Sequence, residues 1–250
     1  MDTSTTQLQL HDMGDYYSSW FIENSGGFPE SPNQRIVLIG ASEQLIFRLL
    51  RDGYTVVHVD KDPTELQAAQ SSIALELSPQ ESQRFESVAA DAERDEFAFR
   101  PNDIVCLVRS LHHMKNPAQA LRKICEQVGN VVVCDSSCEL LKEAMEVQRQ
   151  AYMQFTAELG DDPVALEECA REYEADRKID QRCLELIGAL NLQDEASVNQ
   201  FLTQSGFDLS TPGRELYYAL RCPCGSPHCF KKCYYWFLVT TEVKIPSPYG

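Results

Sequence analysis

Five short apolar runs alternate with amphipathic helical segments between residues 35 and 135, and this alternation restricts the chain more than any other feature. The runs are Arg35-Ile-Val-Leu-Ile39-Gly40, Tyr54-Thr-Val-Val-His-Val-Asp60, Ser87-Val-Ala-Ala-Asp91, Asp103-Ile-Val-Cys-Leu-Val108 and Asn130-Val-Val-Val-Cys-Asp135. Near-continuous apolar strands separated by helices are buried on both faces, which points to a parallel sheet. Right-handed crossovers then make the fold a doubly wound α/β sheet. After the first run, Leu45, Ile46, Leu49 and Leu50 fall on one helical face, with Ser42 as the expected N-cap and Gly53 closing the helix. Asp62-Pro63 opens a helix to about Leu77, and Asn116-Pro117 opens another to about Val128.

After Asp135 the pattern changes. Residues 139–192 read as two long helices broken near Gly160-Asp161-Asp162-Pro163, and a further helix spans about Glu195 to Ser205. Two β-rich stretches follow, Glu215–Leu220 and Tyr234–Val243. We read residues 1–250 as a single domain. It carries an aromatic amino-terminal segment (1–34, with Tyr16, Tyr17, Trp20 and Phe21), a helical lid insert (139–192) and a Cys-rich loop (221–234).

Charge narrows the partners. The chain has 38 acids against 22 bases, a formal charge of −16, and residues 139–210 alone hold sixteen acids and six bases. Such a field repels nucleic-acid phosphates and anionic lipid, so neither nucleic acid nor membrane is expected as a partner. No apolar stretch approaches the ~18–20 residues of a membrane span, and the first residues lack the basic and apolar regions of a secretory signal. The expected compartment is a reducing cytoplasm, where structural disulfides are rare.

In a doubly wound sheet, ligands bind beyond the carboxyl ends of the strands. Gly40, Ala41 and Ser42 form the turn after the first strand, at the start of a helix. Asp60, with Lys61 beside it, ends the second strand, where a carboxylate can accept both hydroxyls of a ribose. Asp91 and Ala92 follow the third strand, where a polar group can meet an adenine amino group. Each acid alone is more often a solvated turn or helix cap; their order along the strands is what points to a nucleotide-like ligand.

This order of elements, Asp60, and the segment Asn102-Asp103-Ile-Val-Cys-Leu-Val-Arg109-Ser110-Leu111-His112-His113-Met114-Lys-Asn-Pro117 resemble the class I S-adenosylmethionine-dependent methyltransferases. The closing helix, the Gly206-Phe207 pair and the β-hairpin fit the same resemblance, which covers about residues 35–243. It implies a mostly parallel seven-stranded sheet with its last strand antiparallel. It also implies S-adenosylmethionine as cofactor, with Gly40, Ala41, Ser42, Asp60, Lys61, Asp91, Ala92, Arg109 and Ser110 around it, and a small-molecule or peptide-derived acceptor. One departure stands out: the family's first loop has two or three glycines, and here Gly40 is followed by Ala41, Ser42 and Glu43. That departure keeps a non-catalytic methyltransferase-like binding or assembly protein as the alternative. The missing G-x-G-x-x-G argues against a dehydrogenase.

His113 is the candidate catalytic base, since an imidazole titrates near neutral pH. With His112 it could also be a metal-ligand pair, but adjacent residues rarely point the same way, and the expectation is a loop whose histidines bond to backbone. Cys222, Cys224, Cys229 and Cys233 form a compact four-thiolate set suited to tetrahedral zinc; redox pairing and free thiols are the other readings. The insert has a broad apolar face of Leu140, Leu141, Ala144, Met145, Val147, Ala151, Tyr152 and Phe155. That face reads as packing on the sheet, as a cover for the substrate pocket or as a homodimer surface.

Overall fold

The computed structural model describes residues 35–40, 43–95, 97–136, 138–160, 162–192, 194–206, 210, 215–221 and 234–240. Strands β1 (Arg35–Ile39), β2 (Thr55–Asp60), β3 (Phe85–Ala89), β4 (Ile104–Val108) and β5 (Asn130–Ser136) are all parallel, in the order β3-β2-β1-β4-β5. Every residue of β1 is buried, as a central strand covered on both faces must be. Beyond β5 the order continues with β7 (Tyr234–Thr240) and then β6 (Glu215–Arg221); β7 runs antiparallel to both of its neighbours.

Helices cover the two faces. Helix α1 (Glu43–Arg51) buries Leu45, Ile46, Leu49 and Leu50 on the predicted face, and Phe47 as well. Gly53 follows it at φ +95°, the left-handed conformation that a helix end favours in glycine. Helix α2 (Pro63–Glu76) is capped by Asp62, whose carboxylate accepts from Thr64 N at 2.8 Å. Helix α4 (Pro117–Cys125) lies between β4 and β5 in the chain, and α7 (Glu195–Gln204) packs on the same side of the sheet. Ile36, Leu38, Val56 and Cys106 meet α1 on one face, while Val37, Val57, Val105 and Val133 meet α4 and α7 on the other.

Two expectations need correction. The third strand runs from Phe85 to Ala89, two residues before the predicted 87–91, so Asp91 lies past its end in a turn. Its residues are only half-buried or exposed, and an edge strand of that kind lacks a continuous apolar run. A short helix, α3 (Pro79–Ser82), was not anticipated; Ser78 and Glu81 cap it reciprocally.

The insert is a helical hairpin of α5 (Cys138–Leu159) and α6 (Pro163–Leu190), with Tyr152 stacked on Tyr173 at 4.2 Å between centroids. The partly buried stripe of α5 is Leu141, Met145, Gln148, Tyr152, Thr156 and Leu159. Val147 and Phe155, placed on the packed face by periodicity, are 63% and 51% exposed, because the hairpin packs along a narrow seam rather than a broad face.

His58 is a polar ring inside the sheet, between Leu38 of β1 and Ser87 of β3. It is buried, and neither ring nitrogen has a partner among the described residues. Desolvation lowers its pKa from the ordinary 6.5, against the weaker pull of Asp60 and Glu43. The native state therefore stays neutral below pH ~6.5, while the unfolded chain takes up a proton there, so stability is lost as pH falls through that region. His58→Leu is expected to raise unfolding free energy by about 1–3 kcal/mol at neutral pH, since an unpartnered polar group leaves the core. It is also expected to flatten the acid limb in urea melts. An unchanged midpoint and an unchanged acid limb would refute the assignment.

Candidate active site at the carboxyl edge of the sheet

Gly40 leaves β1 at φ +61°, and its N–H donates to Val59 O at 3.2 Å. A Cβ there would lie 3.0 Å from Ser110 Cβ and 3.2 Å from Val108 O, so the ends of β1 and β4 meet at a point that only glycine fits. Ser110 Oγ is buried and has no hydrogen-bond partner among the described residues. A hydroxyl in that state has its hydrogen-bonding capacity available to a ligand or water. Ala41 and Ser42 lie outside the described residues, as do Tyr16, Tyr17 and the four loop cysteines.

Asp60 sits half-buried at the end of β2. Its Oδ1 accepts from Asp62 N at 2.8 Å, which fixes the carboxylate at the strand exit, and its carbonyl accepts from Ala90 N. Lys61, next in the chain, is exposed. Asp91 spends its carboxylate locally: Oδ1 accepts from Glu93 N at 3.0 Å, and Arg94 lies 3.6 Å from Oδ2. These contacts place Asp91 in a local turn, one of the two roles weighed for such an acid, and Ala92 packs against the apolar core beside it.

Arg109 adopts φ +51°, a left-handed conformation uncommon for a residue with a side chain. Its N–H donates to Cys134 O at 2.8 Å, which ties the β4 exit to β5. Immediately afterwards, Leu111–His113 form a single 3-10 turn. This turn changes the reading of the histidine pair. The rings of His112 and His113 lie 4.0 Å apart, so the two do point to one place. His112 is buried, and its Nδ1 donates to Asp135 Oδ2 at 2.7 Å. Its backbone N–H also faces Asp135, at 3.4 Å. The expectation of histidines bonded to backbone therefore fails for His112, whose ring is held by a carboxylate at the end of the neighbouring strand.

His113 is exposed at the mouth of this cluster. Partial desolvation, and then the adjoining His112, hold its pKa below the ordinary imidazole value; Asp135 acts in the other direction. Helix α6 packs on the 3-10 turn and brings Cys183 and Asp180 to the same corner. Burial raises the pKa of both, with Arg109 opposing. Asp135 and Cys183 were not among the residues singled out from sequence. For Asp135 the available signal was an acid closing a fully apolar strand; for Cys183, on a helix far along the chain, there was none.

Comparison with known proteins agrees with this geometry. The family described as "Methyltransferase domain" matches residues 38–129, which run from β1 past α4. Among solved structures, the plantazolicin methyltransferase BpumL in complex with SAH aligns with a TM-score of 0.56 at 10% identity, over 92% of this chain and 82% of that one. The methyltransferase domain of bacterial CtHen1-C aligns at 0.57 and 12% identity, over 92% and 100%. The glycopeptide N-methyltransferase MtfA complexed with sinefungin aligns at 0.55 and 11% identity, over 92% and 87%. At such identities these likenesses speak for the fold. No curated protein matches. The matched segment spans the glycine turn, the Asp60 exit and the 3-10 turn, so residues 38–129 are similar to the methyltransferase-domain family and the chain shares the Rossmann-like fold of the solved methyltransferases.

Proposed function

We propose that the chain transfers a methyl group from S-adenosylmethionine to a small or peptide-derived acceptor. The observation that carries this is the close approach of Gly40 to Ser110, whose Oγ has no hydrogen-bond partner among the described residues, with Asp60 at the end of β2, the strand on the other side of β1. A ligand's amino-acid end can approach backbone at Gly40, and a ribose can bond to the Asp60 carboxylate. The cofactor supplies an electrophilic methyl on a sulfonium. The chain's part is alignment: it holds the acceptor in line with that methyl and excludes water, which alone supplies much of the rate. Arg109 and Ser110 flank the acceptor side, and in the metal-free protein His113, favoured neutral by desolvation, takes the acceptor's proton.

Names of the neighbours guide the acceptor class. BpumL is a plantazolicin methyltransferase and MtfA a glycopeptide N-methyltransferase, which supports a peptide-derived substrate here. The α5–α6 hairpin acts as the lid and carries the acidic charge that keeps polyanions out. Arg221 and Tyr234, the residues flanking the cysteine segment, are register partners, and Tyr234 also pairs with Ser136 at the end of β5. That anchoring supports Cys222, Cys224, Cys229 and Cys233 as a zinc-stiffened wall beside the opening. A homodimer through the exposed hairpin residues Val147, Met153 and Phe155 is the accompanying proposal for assembly, in the cytoplasm.

Calorimetric titration with S-adenosylmethionine and its demethylated product tests the reading. Tight product binding is expected; no heat at about millimolar ligand would leave the non-catalytic module as the answer. Asp60→Ala is expected to weaken product binding at least about tenfold, the value of one charged hydrogen bond of ~1.5–3 kcal/mol. Equal affinity in that variant would remove Asp60 from the cofactor site.

A further inference from the structure

We propose that His112, His113 and Cys183 form a transition-metal site, zinc by its donor set, at the edge of the crevice. One donor atom from each of the three lies within 4.8 Å of the others. Tetrahedral zinc with bonds of ~2.0–2.3 Å holds its donors roughly 3.3–3.8 Å apart, so the set closes around a metal by a shift of about an ångström. Two imidazoles and a thiolate suit zinc and exclude calcium or magnesium, which take oxygen donors.

The second, independent observation is Asp135. It is fully buried and binds His112 Nδ1 at 2.7 Å. A carboxylate on one imidazole nitrogen fixes the tautomer and leaves the lone pair of Nε2 free to coordinate, the outer-shell arrangement that metal-bound histidines use. A general base needs no such partner on the buried member of the pair, yet here the carboxylate sits on His112 and not on the exposed His113. The rings of the pair converge through the 3-10 turn, and α6 delivers the thiol from the other side.

The three ligands among the described residues leave a fourth position. His113 is the exposed member, so that position opens toward solvent, as in metal sites that bind water or substrate. Once metal is bound, His113 is a ligand and no longer accepts a proton; the metal instead lowers the pKa of whatever occupies the open position. None of the three ligands belongs to the cysteine segment, and the site stands whether or not the chain transfers methyl groups.

Cobalt(II) titration of the metal-stripped full chain tests the assignment, because cobalt reports thiolate ligation by a charge-transfer band. In a variant with Cys222, Cys224, Cys229 and Cys233 all changed to Ser, one equivalent of cobalt is expected, with the thiolate band present. Cys183→Ala in that background is expected to abolish the band and weaken binding by at least tenfold. Cys183→His is expected to restore binding without the band, a rescue that a merely structural defect does not give. Asp135→Asn is expected to weaken cobalt binding about 10–100-fold. If the four-serine variant fails to fold, Cys183→Ala in the intact chain must lower bound metal by one equivalent. No cobalt bound by a folded four-serine variant, or a band that survives Cys183→Ala, overturns the site. Titration of the same metal-free preparations with demethylated cofactor product reports the methyltransferase reading separately.

Discussion

Gly40→Val is expected to abolish binding of the demethylated cofactor product while leaving a folded protein. Two effects combine at this position. The backbone sits at φ +61°, where a branched side chain is strained by about 1–3 kcal/mol. The added Cβ would also press on Ser110 Cβ at 3.0 Å and Val108 O at 3.2 Å, in the packed junction of β1 and β4. Relief requires moving Ser110, whose hydroxyl has no hydrogen-bond partner among the described residues. Gly53→Ala is the matched control: its φ of +95° is strained as well, but a Cβ there meets nothing within 4 Å, at the far end of α1. Calorimetry and thermal melts should therefore separate the pair, with both variants less stable and Gly40→Val alone losing the ligand. Retained affinity in Gly40→Val would remove the glycine turn from the cofactor site.

The largest loss of stability is expected at the opposite edge of the sheet. Arg35, which opens β1, donates to Asp103 through Nε at 2.9 Å and through a terminal nitrogen at 2.7 Å. The two side chains are 9% and 1% exposed, and Asp103 also accepts from Arg100 N at 2.7 Å. The hydrogen bond to Asp103 raises the Arg35 pKa further, so the cation persists at any accessible pH. Asp103→Asn keeps the shape and removes the charge, stranding a buried guanidinium. The expected cost is about 3–5 kcal/mol, or a fall in melting temperature of roughly 10 °C for a chain of this size. A paired replacement, Arg35→Met with Asp103→Leu, should recover much of it, because well-packed apolar residues replace such pairs at little cost. Cofactor-product affinity should be unchanged in both, since the ion pair lies at the amino ends of the strands. A loss below about 1 kcal/mol in Asp103→Asn would mean that water reaches the arginine.

How much of this was legible in the sequence depends on what kind of signal each element leaves. Strands β1, β2, β4 and β5 are central and buried on both faces, so each appears as an unbroken apolar run. Strand β3 lies at the edge, and its mixed residues blurred the register by two positions. The short helix α3 had a readable mark, Ser78 followed three residues later by Glu81, which was passed over. The position of Gly40, Asp60 and Ser110 at or just past strand ends was legible because the apolar runs stop there. The His112–Asp135 contact was not, because it depends on β4 and β5 running side by side, a fact of topology. The argument that neighbouring side chains diverge holds on a regular helix and failed in the 3-10 turn.

The position of β7 bears on how the chain is made. It is later in sequence than β6 yet stands between β5 and β6 in the sheet. During translation β6 therefore emerges without a neighbour, and the flank of β5 stays bare until Tyr234–Thr240 clears the ribosome. An apolar strand flank of that kind recruits other chains. The sheet is completed only once β7 has emerged, and chaperone demand should concentrate in the interval before it.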